Sequence, residues 1–197
     1  MIYKLSESIV EYLNKHNALY DDKEIYEYSI RIVISEAIAT TLIILIGLCT
    51  HHFIEAILYE MILSTSRSVL GGYHCKTYTS CILFYIILFI VNLIISKVQL
   101  DVSMIVLIEL VSLIITISCN PIINENKPIS YKKKIKFKKI SVIYILMLII
   151  TIHILMHYNI QLYNFLIYVI ITIQILTIGG KQNERKYKKK NIDNVFI

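Results

Sequence analysis

Between Arg67 and Cys81 the chain reads Arg-Ser-Val-Leu-Gly-Gly-Tyr-His-Cys-Lys-Thr-Tyr-Thr-Ser-Cys, which gathers a guanidinium, an imidazole and two thiols into one short polar stretch. A thiol attacks a carbonyl as its thiolate, and a neighbouring imidazole can take the proton and stabilise the anion. A His and a Cys suffice for peptide-bond cleavage, an Asn or Asp that orients the imidazole being common but not obligatory. The candidate pair is His74 and Cys81. On one straight helix, residues seven apart lie about 10.5 Å apart along the axis, too far to share a proton. A working dyad therefore requires a bend between them, with Cys81 near a helix N-terminus, where an anion is favoured, and His74 folding back from a loop. Gly71 and Gly72 offer backbone freedom for such a path. Cys75 is the rival nucleophile, but it adjoins His74 and its side chain tends to point elsewhere, so geometry favours Cys81.

Other readings of these residues stand beside this one. A cysteine at a helix start can be an inert small hydrophobe. His51, His52, His74 and Cys75 lack the compact ligand spacings of zinc motifs, so neither a metal nor another cofactor is expected. Glu36, Glu109 and His153 fall inside apolar runs, where ionisable groups are costly and mark functional candidates. They support an alternative function, a non-enzymatic membrane transporter or sensor with an ion or proton path. A scaffold that binds anionic lipid through basic segments is a third.

The elements that must position these groups are membrane helices. Of 197 residues, 56% are hydrophobic and 17% charged, with a mean hydropathy of +0.65, whereas soluble domains carry about 25% charged residues. With Gly 5 and Pro 2 there is little to interrupt long helices. The fold class expected is all-α, a polytopic membrane helix bundle of about six segments forming one domain over 1–197. Residues 1–29 read as an amphipathic surface helix, with Leu5, Ile9, Val10, Tyr12 and Leu13 at helical spacing; no removable signal peptide is expected. The bundle occupies 30–180 and a basic tail 181–197. Ile30–Leu48 is a first span. Phe53–Thr65 is apolar but short and carries Glu55 and Glu60, so it either crosses at a tilt, re-enters or is buried in protein. Cys81–Ser96, Val102–Cys119, Ile140–His157 and Leu162–Ile178 are four strong spans in two hairpins.

Charge orients them. Lys and Arg fall as four in 1–31, two in 66–79, one at Lys97, seven in 120–139 and six in 180–197. The positive-inside rule puts the basic segments in the cytoplasm, and hairpin parity places the 67–80 loop there as well. Cytoplasmic thiols are kept reduced, so Cys49, Cys75, Cys81 and Cys119 are expected to form no structural disulfide. The run Tyr131–Lys139, read as a loop, either sets topology or binds anionic lipid or an acidic peptide. Arg67 can bind an acidic part of a substrate or a newly formed carboxylate. Arg67, Gly71, Gly72, Lys132, Lys133 and Lys134 are thus candidate substrate-binding positions beside the candidate catalytic His74 and Cys81.

The Arg67, Gly71-Gly72, His74 and Cys81 pattern resembles the signature of the accessory gene regulator B family of bacterial membrane endopeptidases. Length, polar N-terminal segment, helical pattern and a basic loop containing Asn120-Pro121 and Lys127-Pro128 are similar as well. The resemblance implies a precursor signal peptide (AgrD-like) as substrate. The cysteine at the position of Cys81 would cut off its acidic tail and hold the rest as a thioester. A cysteine or serine of the precursor would then capture the acyl group as a cyclic thiolactone or lactone used in quorum sensing. It also implies a homodimer in the bacterial cell membrane, in contact with lipid and without a nucleic-acid partner.

Overall fold

Seven α-helices and no strand make up the described residues of the computed structural model, which are 2–16, 23–73, 75, 77–122, 131–158 and 160–195, the side chains at 131 and 186–195 excepted. They are α1 (Ile2–Lys15), α2 (Lys23–Cys49), α3 (Phe53–Val69), α4 (Tyr78–Ile95), α5 (Val102–Cys119), α6 (Tyr131–His157) and α7 (Leu162–Val195). Five of them, α2 and α4 to α7, are long and apolar enough to cross a membrane. The chain is therefore a polytopic helical membrane protein, with α3, of 17 residues, as a further apolar segment.

Several boundaries differ from the sequence reading. The surface segment 1–29 divides into α1 and the start of α2, which begins at Lys23 rather than Ile30. Residues 131–139 are the opening turns of α6, not a loop, and α7 runs through the basic stretch 181–190. Polarity ends a membrane span but does not end a helix. Lys, Arg, Gln and Glu are good helix formers, and no proline interrupts either stretch.

The chain divides into two compact units, Met1–Phe53 with Cys75–Ile87, and Ile54–His74 with Leu88–Ile197. In the first, α1 packs on α2 and buries Ser6 and Val10 completely. α2 ends where His51 takes a left-handed φ of 61°. Its neighbour His52 donates N–H to Gly47 O at 2.8 Å, and His51 donates to Leu48 O at 3.4 Å. This is a Schellman cap, in which a histidine occupies the position glycine usually takes, and it satisfies carbonyls the helix end would leave orphaned.

The second unit is built around α7, which packs on α5 and α6. Phe165, Leu166, Ile167, Val169, Ile170 and Ile173 are all at most 3% exposed, so α7 is buried nearly all round rather than along one stripe. Polar bonds fix its register, as expected where lipid offers no hydrogen-bond partners. Asn92, in the second half of α4, donates to Thr172 Oγ1 at 2.9 Å, and the single Thr172 hydroxyl proton is shared between Asn92 Oδ1 at 3.2 Å and Tyr168 O at 3.0 Å. At the other end of that turn region, Asn164 donates to the carbonyls of Ser96 and Val98. Tyr144 of α6 donates to Ile62 O at 2.7 Å, and Tyr59 meets Phe89 with ring centroids 5.1 Å apart, so α3 is tied in from two sides.

Candidate active site

Cys81 lies in the first turn of α4, and the local chemistry explains why the helix starts there. Thr77 is the cap: its Oγ1 accepts the Ser80 N–H at 3.2 Å and lies 2.6 Å from Ser80 Oγ. The Cys81 N–H then makes the first regular helical bond, to Thr77 O at 3.1 Å. A side-chain cap of this kind is worth about 1 kcal/mol. It leaves Cys81 half-buried in the first turn of the helix. The expected location of Cys81 near a helix N-terminus is therefore what the fold provides. Cys75 is half-buried and precedes the helix. His74 lies outside the described residues, as does Lys76. Among the described residues no cysteine is in a disulfide, and no group of three or more metal-ligating side chains converges.

Gly71 uses the backbone freedom expected of it, and packing then holds the pair in place. Gly71 has φ +76°, and a Cβ there would come within 3.0 Å of Ile122 O. Gly72 faces Gly180 of α7 so closely that a Cβ on Gly180 would lie 2.7 Å from the Gly72 carbonyl carbon and 2.9 Å from its oxygen. Two backbone bonds fasten the same place: Ile122 N–H to Leu70 O at 3.1 Å, and Tyr73 N–H to Leu176 O at 3.0 Å. The Tyr73 ring lies over Gly179, whose Cβ would be 3.5 Å from it. Four of the chain's 5 glycines thus meet at one junction of the α3 end, the segment after α5, and α7. Gly179 and Gly180 went unremarked in the sequence. The available signal was a second glycine pair closing an apolar run in a chain otherwise poor in glycine.

Among the other candidate positions, Arg67 is half-buried in the last turn of α3. Lys132 and Lys133 are exposed and Lys134 half-buried on the first turns of α6, so they line a helix rather than a loop. The intramembrane ionisable residues separate. Glu109 of α5, only 6% exposed, is bonded to His153 of α6 at 3.0 Å, whereas Glu36 is exposed on α2 in the other unit. The structure brings two of those three together as a pair.

The accessory gene regulator B family model matches residues 6–178. The chain is also 28% identical, over 140 residues, to an AgrB-like protein of Clostridium beijerinckii, a match covering 69% of this chain and 70% of that protein. No solved structure matches it. A match that runs from α1 to the end of the apolar part of α7, on a helical membrane bundle with a thiol at the capped start of α4, makes the chain a member of the accessory gene regulator B family, which takes part in processing autoinducing peptides.

Proposed function

We propose that this protein is a membrane cysteine endopeptidase that cleaves a precursor signal peptide and promotes its cyclisation to a quorum-sensing autoinducer. The observation that carries this reading is the location of Cys81 in the capped first turn of α4, within the segment that the family model matches. The Cys81 thiolate, formed by proton transfer to His74, attacks the scissile carbonyl. The C–N bond breaks as His74 returns the proton to the leaving amine, and the acyl group stays on Sγ as a thioester. A cysteine or serine of the precursor then attacks the thioester carbonyl, regenerating the Cys81 thiol and closing a thiolactone or lactone. Arg67 and the lysines of α6 would attract the acidic part of the precursor. The charge bias of the basic segments favours a cytoplasmic Arg67–Ser80 region in this reading, and the working form would be a homodimer.

The test uses the full chain in lipid with a synthetic precursor, read by intact mass. Cys81→Ala is expected to bind the precursor without cutting it, His74→Ala to slow adduct formation severely, and Cys75→Ala to keep substantial activity. A hydroxylamine-sensitive adduct on Cys81 supports the mechanism. Normal cleavage by Cys81→Ala refutes it.

A further inference from the structure

The residues leading into Cys81 present one half-buried side chain. Thr77, Thr79 and Ser80 are exposed, and only Tyr78 is half-buried. Its ring meets Tyr3 of α1 edge-on, with centroids 5.9 Å apart and planes at 70°. The other side of this contact is a cation: the Arg31 guanidinium lies 4.6 Å from the Tyr3 ring centroid. Arg31 is itself fixed in place. Its Nη2 pairs with Glu27 Oε2 at 2.8 Å and reaches Glu7 Oε1 at 4.0 Å, and its Nε donates to Ser6 Oγ at 3.1 Å. All of these residues belong to the same compact unit as Cys81.

A planar guanidinium with two of its nitrogens committed defines the plane of the ring stacked on it, and that ring edge defines where Tyr78 sits. The Glu27 pair is made within α2 and would hold Arg31 without Tyr3, so the Tyr3 contact adds a link toward α4. Cys81 follows Tyr78 by three residues, within one turn, so a rotation of the helix start moves both. On a Cα radius of about 2.3 Å, a turn of about 20° displaces a residue by about 0.8 Å. Displacements of that size at a reacting atom cost catalysis about ten- to a hundredfold.

We propose that Tyr3 and Arg31 are positioning residues for Cys81, setting the rotation of the first turn of α4 through Tyr78. This rests on Cys81 being the nucleophile.

The experiment compares Tyr3→Leu, Tyr3→Phe and Cys81→Ala in lipid-reconstituted full chain. Tyr12→Leu serves as the control, since Tyr12 lies on the same helix, is exposed as Tyr3 is (64% against 54%) and contacts His16 instead. Two rates are read: precursor cleavage, and iodoacetamide alkylation of Cys81 by peptide mass. Tyr3→Leu is expected to lower kcat and Cys81 alkylation about tenfold with KM changed less than about twofold, while Tyr3→Phe, which keeps the ring, restores both. Tyr12→Leu stays at the unmodified rates. If Tyr3→Leu does not fold, Tyr78→Leu probes the same contact from α4 by the same two rates. Unchanged rates in the folded variant, an equal loss in Tyr12→Leu, or no rescue by Tyr3→Phe overturn the proposal. Normal cleavage by Cys81→Ala instead removes the nucleophile assignment itself, a result separable from an inactive Cys81→Ala beside a fully active Tyr3→Leu.

Discussion

Adding one methyl group at Gly180 tests whether the approach of α7 to Gly72 positions the motif segment. A Cβ there would meet the Gly72 carbonyl carbon at 2.7 Å and both Gly72 O and Ile122 Cδ1 at 2.9 Å. Ordinary contacts begin near 3.4 Å, and the nearest atoms are backbone, so the two segments must part by about 0.7 Å, a displacement that costs about 1–3 kcal/mol. Alanine also gains about 1 kcal/mol over glycine in a helix interior, which partly hides the cost. Gly179→Ala removes that ambiguity: it receives the same helix gain, but its Cβ would meet only the Tyr73 ring at 3.5 Å. The difference between the two variants isolates the clash and is expected at about 1–3 kcal/mol, Gly180→Ala being the less stable. Thermal unfolding in detergent measures it, and precursor cleavage by the same samples, at a temperature where both are folded, should fall at least several-fold in Gly180→Ala alone. Equal stability and equal cleavage in the two variants would show that the glycine contact positions nothing.

Three further outcomes follow from the packing. Thr172→Val strips Asn92 of both bonds to α7 and is expected to cost about 1–2 kcal/mol, seen as a lower unfolding temperature; an unchanged value would mean the pair does not hold α4 to α7. His153→Leu strands the buried Glu109 carboxylate and should destabilise by about 1–3 kcal/mol more than Glu109→Gln, with much of that recovered when His153→Leu is combined with Glu109→Leu; precursor cleavage surviving in the folded double variant would count against an ion path as the main function. Replacing Lys132, Lys133 and Lys134 by Glu should weaken precursor capture at low salt and much less at high salt, once correct insertion is verified, and capture unaffected at every ionic strength would leave these lysines as topology determinants only.

Where the sequence was legible, the reason is local. α5 has the expected bounds, Val102–Cys119, because Asp101 and Asn120 bracket an unbroken apolar run. The start of α4, expected at Cys81 from the apolar run, is found at Tyr78, because Thr77 caps the helix a turn earlier. α6 and α7 were cut short because lysine is at once a polar residue and a good helix former, so hydropathy marked the edge of the lipid rather than the end of the helix. The packing of the glycine junction was not legible, for a different reason. Gly72 owes its constraint to Gly180, and no local rule links positions so far apart in the chain. Likewise, nothing in the spacing paired Glu109 with His153, whose bond depends on how α5 packs on α6.

The length of α4 bears on the fate of an acyl-enzyme. Its 18 residues extend about 27 Å, slightly less than the about 30 Å of hydrocarbon to be crossed, so the helix has no spare turn with which to hold both ends clear of the lipid tails. A thioester on Cys81, one turn in, would meet water from one direction only and at reduced activity. Hydrolysis is then slowed without any group dedicated to preventing it, whereas a thiol or hydroxyl on the bound peptide is already present at high effective concentration. Partition between a linear and a cyclic product would thus be set largely by depth. On the proposed mechanism, lengthening the start of the helix by a turn would be expected to shift the product from ring toward linear acid.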